Sequence, residues 1–324
     1  MPTTPNAEPL SPSPEAPPRG PHAVAVLAAV FTWPLIFVGG LVTTYRVGMA
    51  VPDWPTTFGM NMFLFRFWEA AWGVFIEHGH RLYGAAVGLA TLILAAWFVV
   101  ADRRRSMKAL GVLALLAVIG QGVLGGYRVR LNSTNLAAVH GATAQAFFAL
   151  MVALCVLTGR GWSTPSGRVA DVERLRRRSA VALALIYLQI AIGAWLRHFG
   201  TSTGLVLHAI LAAAVWGHAA ALAWRVARQK RAAPELLPAA RAMALAVTLQ
   251  VLLGVAAWWL LLPFDGLARF VTTPQALVRT AHQANGALLL GSAVVLTLRS
   301  FRRLSPAPRA GRPADAPLTW EAVA

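Results

Sequence analysis

Eight long apolar runs constrain this chain more than any other feature. About 20 apolar residues is the length at which an α-helix crosses a bilayer core about 30 Å thick. The runs lie near residues 23–43, 81–100, 109–127, 137–158, 180–197, 205–224, 241–262 and 280–298, with few or no charges inside them. Backbone groups surrounded by lipid must be satisfied within their own segment, so each run is expected to be a helix. The expected fold class is an all-α integral membrane protein: eight transmembrane helices as two pseudo-symmetric four-helix bundles. A composition of 57% hydrophobic and 13% charged residues fits that class and excludes an ordinary soluble domain.

A net charge of +17 would suit a nucleic-acid binder, but the placement of the charge excludes that reading. Of 29 basic residues, 21 fall at Arg19, Arg103 to Lys108, Arg160 to Arg178, Arg225 to Arg241 and Arg299 to Arg312. If the helices alternate in direction, all of these lie on one side. The positive-inside rule then makes both termini cytoplasmic. Residues 1–22 are rich in proline and are expected to be a disordered cytoplasmic tail rather than a cleavable leader. The domains expected are an N-terminal four-helix half at 23–158, a cytoplasmic linker at 159–179, a C-terminal four-helix half at 180–298 and a cytoplasmic tail at 299–324. Cys155 stands alone inside a span, which excludes an intramolecular disulfide and a multi-cysteine metal site.

A weak internal repeat runs through the spans. Gln121 opens QGVLGGYRVRLNSTNLAAVH and Gln189 opens QIAIGAWLRHFGTSTGLVLH, each with a glycine four residues on and a histidine nineteen residues on. Gln250 opens QVLLGVAAWW and reaches His282 through a longer loop; FVGG and His80 fit the plan more loosely. Each of four hairpins therefore carries one histidine, His80, His140, His208 or His282, near the start of its second helix and toward the outer face. Any one of them reads equally well as a core histidine bonded to a backbone carbonyl. Four at equivalent depths call for a common partner, because ionisable groups within a membrane are costly.

Two histidines from separate helices can hold a metal or haem iron between them. Zinc would favour closely spaced ligands such as His at i and i+4, and that pattern is absent here. Small residues beside the histidines, Gly84, Gly141, Ala209 and Gly286, would admit a flat macrocycle or serve ordinary helix packing. His78 lies about 200° round the helix from His80 and cannot face the same centre. His22, His198 and His218 are likewise not assigned as ligands. Glu77, three residues before His80, shares its helix face and is the candidate catalytic acid. Asp53, in PDWP, reads first as a turn-forming residue. The long first outer loop, Thr44 to Ile76, is expected to lie over this face as a lid. Arg81 and Arg128 fall near the outer face, where either can pair with a carboxylate.

The chain resembles the haem A synthase family. The match lies in Pro52-Asp53-Trp54-Pro55, in the E-x-x-H-R of Glu77 to Arg81, in QGVLGG from Gln121 to Gly126 and in the four histidines. The resemblance implies a membrane enzyme that oxidises the C8 methyl of haem O to the formyl group of haem A by successive hydroxylations, for cytochrome oxidase assembly. It implies His80 and His140 as iron ligands for substrate haem O or product haem A, His208 and His282 as ligands of a haem b, and Glu77 as the catalytic residue. It also implies the cell inner membrane, haem O synthase and an electron acceptor as partners, and a homo-oligomer as an option. Many members carry a cysteine pair in the first outer loop, and this chain has none there. A di-haem electron carrier would use the same histidines, and a transporter would use them as proton relays.

Overall fold

A computed structural model describes residues 19–159, 161–162, 167–169, 171–260 and 271–306. The helices are α1 (Arg19–Thr44), α2 (Trp72–Ala101), α3 (Arg105–Arg130), α4 (Thr134–Thr158), α5 (Val172–Phe199), α6 (Ser202–Arg228), α7 (Leu237–Trp259) and α8 (Thr273–Arg303). All eight contain a stretch long and apolar enough to cross a membrane, so the chain is a multi-pass membrane protein. A short parallel pairing of Gly167–Val169 with Leu304–Pro306 accompanies them, and Arg176 secures it by donating to the carbonyls of Ser300 and Leu304.

Several helices outrun the apolar stretches that announce them. Helix α5 begins at Val172, inside the segment expected to be a linker, because its first two turns are made of Leu, Glu and Arg, which are good helix formers. Helix α2 likewise starts at Trp72, so Glu77 and His80 stand further inside it than the apolar run implies. Arg19 to His22, expected in the disordered tail, form the first turn of α1, where His22 Nδ1 lies 3.1 Å from the Thr158 hydroxyl. The remainder of that tail, residues 1–18, and the second tail beyond residue 306 lie outside the described residues.

The main helix contacts form two closed circuits. Helix α1 packs on α2, α2 on α3, α3 on α4 and α4 back on α1; α5, α6, α7 and α8 close in the same way. Within each circuit the even-numbered helices are diagonal neighbours. The circuits meet where α8 packs on α1 and α4, and α4 on α5.

Helix α8 is the most enclosed of the eight and also the least apolar. The peripheral helices show the reverse, with Leu116, Leu245 and Ile210 all more than 60% exposed. Lipid is the solvent for the outside, so hydrophobicity does not sort residues inward as it does in water. The junction combines an apolar cluster of Ile36, Phe148 and Ala287 with polar contacts between helices. Trp33 Nε1 of α1 donates to the Ala284 carbonyl at 2.9 Å, and Arg197 of α5 donates to the Gly40 carbonyl at 2.8 Å and to the Thr44 hydroxyl of α1.

Candidate functional site

The starts of α4, α6 and α8 are set locally, whereas α2 follows Ala71 without a side-chain cap. Ser133, Thr201 and Thr272 cap α4, α6 and α8 by accepting the backbone N–H of Leu136, Gly204 and Gln275, and Thr272 completes a capping box with Gln275. His140, His208 and His282 follow within the next two or three turns, as His80 does in α2. The helices that precede them end at the same place, so all four imidazoles gather at one end of the bundle. Each is partly buried.

A glycine of the preceding helix lies against each ring. A Cβ added at Gly39, Gly125, Gly193 or Gly254 would stand 3.0, 3.2, 2.9 or 3.0 Å from Cε1 of His80, His140, His208 or His282 respectively. The repeated glutamines reinforce this. Gln189 and Gln250 donate through Nε2 to the carbonyls of His208 and His282, at 2.8 and 3.0 Å, and Gln250 is itself held by Asn285. Gln121 reaches Thr143, one turn beyond His140.

Helices α6 and α8 are diagonal, and the His208 and His282 rings face one another with centroids 6.3 Å apart. Two imidazoles bound to one ion from opposite sides, with metal–nitrogen bonds of about 2.0–2.1 Å, put their ring centres about 6 Å apart. The separation of the pair matches that of two ligands on one iron; the rings are inclined at 68°, and Gln189 Nε2 lies 3.1 Å from His208 Nδ1 and Gln250 Nε2 3.3 Å from His282 Nε2. His80 and His140, on the diagonal helices α2 and α4, are near enough to act on each other electrostatically. Nδ1 of His80, His140 and His282 is buried without a hydrogen bond among the described residues. Among those residues no three His, Cys, Asp or Glu side chains converge as a chelating metal site would require, so facing pairs are the available donor sets.

Of the small residues expected to admit a macrocycle, Gly84 and Gly141 have open space where a side chain would stand, and Gly286 faces Gln250 at 3.4 Å. The glycines that touch the rings lie one helix earlier, inside the Gln-x-x-x-Gly repeat and FVGG.

The remaining polar residues of the EHGHR segment turn toward the α1–α2 connection. Glu77 is 1% exposed; it accepts the Val51 N–H at 2.8 Å and Nη2 of Arg81 at 2.8 Å. Arg81 also donates to the carbonyls of Val51 and Asp53, each at 2.7 Å. Buried His78 sits 3.0 Å from the Thr57 hydroxyl, between the rings of Phe65 and Phe67. The connection is thereby fastened to α2, and Trp54 lies against Gly126 of α3, leaving no room for a Cβ there.

Asp53 fixes the turn as expected, accepting the N–H groups of Phe58 and Gly59 and the Thr56 hydroxyl. Burial alone would raise its pKa, but the Gly59, Thr56 and Phe58 donors outweigh it and hold the carboxyl at about 2. Arg81, which sequence reasoning placed near a ligand carboxylate, is occupied by this connection. His78 and Arg81 as struts were missed because their partners are backbone groups and aromatics distant along the chain.

Residues 22–207 match the model of the COX15-CtaA family, described as cytochrome oxidase assembly protein. The chain is 34% identical over 149 residues to a heme A synthase of Erythrobacter litoralis, covering 42% of the chain and 41% of that relative. It is 28% identical over 225 residues to a heme A synthase of Parvibaculum lavamentivorans, covering 57% of the chain and 62% of that relative. The matched stretches thus span less than two thirds of either relative.

Proposed function

The chain belongs to the COX15-CtaA family of cytochrome oxidase assembly proteins, and from that premise we propose that it is a haem A synthase, oxidising the C8 methyl of haem O to a formyl group. The observation that carries the proposal is the set of four histidines gathered at one bundle end, on diagonal helices, with a buried carboxylate one turn from the first of them. The helix circuits are two equivalent halves in this reading. His80 and His140 hold the substrate in the half at 23–158; His208 and His282 hold a haem b in the half at 180–298. Haem b, when bound, supplies an iron centre that takes up and passes on electrons.

The chain's own residues supply position and charge. The glycines let each ring lie close to the preceding helix, and the glutamines steady the helix turn that bears it. Glu77 is fixed by one donor on each oxygen and keeps further acceptor positions. In this reading it takes a proton from the attacking water or opposes positive charge at the oxidised methyl. The net change converts a methyl and one water to a formyl, releasing four protons and four electrons. An electron acceptor outside the chain is therefore required, alongside a haem O-producing farnesyltransferase. In this reading both termini are cytoplasmic, as the basic loops favour, and the histidine end is on the outer face of the cell inner membrane.

The test is to express the chain with a haem O-producing partner, purify it in detergent and identify the extracted haems by mass spectrometry, with Glu77→Ala beside it. Haem A or its hydroxylated precursor is expected from the native chain, with loss or stalling in the variant. The likeness of the two histidine pairs also suits a di-haem electron carrier. Haem b alone in both preparations would establish that alternative, and no haem at all would remove both readings.

A further inference from the structure

A cavity of about 250 Å³ opens at the histidine end, where α1, α3, α4 and α5 come together and the two circuits meet. Arg46, Arg128, His198, Asn132, Ser133 and Thr134 line it. Its charged lining is cationic, with no carboxylate among those residues. Among the described residues, none of the side chains of Arg46, Arg128 and His198 pairs with an acid. The carboxylate that acts on Arg128 electrostatically is Glu77, which is already occupied by Arg81 and the Val51 N–H.

The backbone holds these groups in place. The Arg128 guanidinium lies against Gly48, where a Cβ would stand 2.6 Å from Nη1 and push it aside. Arg46 takes φ 57 just after α1, a left-handed position that normally goes to glycine or asparagine. Its neighbours make the matching end-of-helix bonds, Arg46 N–H to Thr43 and Val47 N–H to Val42. An arginine in this conformation is disfavoured by its own Cβ, and here it lines the cavity opposite a second cation. The first residues of α4, capped by Ser133, add the positive end of a helix dipole. Arg128 is partly buried and Arg46 exposed, and like charges lining one cavity favour an anion between them.

We propose that this cavity binds an oxyanion, a carboxylate or phosphate group, with Arg46 and Arg128 as its counter-charges. Two molecules present that chemistry here. One is a haem held by His80 and His140, whose propionates are carboxylates; this source rests on the function proposed above. Its position suits, because Arg128 acts electrostatically on both of those histidines and His198 on His140. The other is a membrane lipid with a phosphate headgroup, which needs no haem.

The experiment uses the full chain in detergent, with Arg128→Gln, Arg128→Lys and Arg46→Gln. Haemin and its dimethyl ester, which lacks free carboxylates, are titrated by visible absorbance, and lipids retained through purification are identified by mass spectrometry. A propionate site gives a preference for haemin over the ester of about tenfold or more, as expected for losing a charge-assisted pair. That preference disappears in Arg128→Gln and is largely kept in Arg128→Lys. A lipid site gives no such preference but an anionic phospholipid that accompanies the native chain and is lost from the Gln variants. Arg46 is exposed, so Arg46→Gln preserves the test if Arg128→Gln does not fold. Haem bound without discrimination, together with no retained anionic lipid, overturns the anion site and leaves the haem reading standing. No haem, but a lipid lost on substitution, does the reverse.

Discussion

At the scale of single residues, the glycines facing the imidazoles carry the sharpest requirement. The space between Gly193 and His208 is the tightest of the four: a methyl group at position 193 would lie 2.9 Å from Cε1. The neighbour across that gap is an aromatic ring, whose carbonyl is held by Gln189, so the ring has to turn rather than flex aside. Gly193→Ala is expected to cost about 1–3 kcal/mol by overpacking and to weaken ligand retention at the His208–His282 pair. Thermal melting of the purified chain and its visible haem spectrum read the two effects separately. Gly84→Ala is the control, since its Cβ would enter open space.

At the scale of elements, the connection between α1 and α2 behaves as a fastened cover whose hold depends on one cation. Arg81 bonds to two carbonyls of the connection and to Glu77, and its side chain is 10% exposed against 1% for Glu77. Removing the arginine leaves a buried carboxylate without its ion partner, a loss of about 3–5 kcal/mol. Arg81→Gln is expected to release residues 45–71 to limited proteolysis while the transmembrane core stays intact. Cleavage at the native rate would show that other contacts hold the cover.

The turn at Asp53 has its own acid dependence. Its folded pKa, about 2, lies below the 3.8 of a free aspartate, so the contribution of the turn is complete above 3.8 and is lost as pH falls from there through 2. Trp54 fluorescence is expected to report loosening in that window, and Asp53→Asn is expected to remove the pH dependence and start from the loosened state.

At the scale of the whole molecule, the number of helices and the gathering of the histidines were legible, because lipid imposes a length on each span and the repeat recurs in the chain. The Gln-x-x-x-Gly spacing even held the contact glycines, although the macrocycle was expected against Gly84 and Gly141. What was not legible depends on tertiary proximity. No local pattern announces that Arg81 and His78 serve a loop, that Gly126 makes room for Trp54, or that Arg46 and Arg128 meet across a cavity. Helix starts were hidden for a different reason: α5 continues past its apolar run on good helix formers, while α2 opens on Trp-Gly-Val-Phe, whose helix propensity is poor.

The enclosed position of α8 bears on the order in which the protein can be assembled. Of the eight helices this one is made last, yet it packs on α5 and α7, closing the second circuit, and on α1 and α4, joining that circuit to the first. Until it arrives, the Trp33 indole lacks its acceptor on Ala284, and the Arg197 guanidinium lacks its contact with the Arg279 carbonyl. Arg197 keeps its acceptors on α1, but a nascent chain of seven helices leaves the Trp33 donor facing lipid, which has no acceptor to offer. Because α8 is the least apolar span, its entry into the bilayer depends on the seven helices already there. The last of the eight helices to be made thus locks the other seven, and a ribosome that stops before it leaves an open membrane protein for quality control to remove.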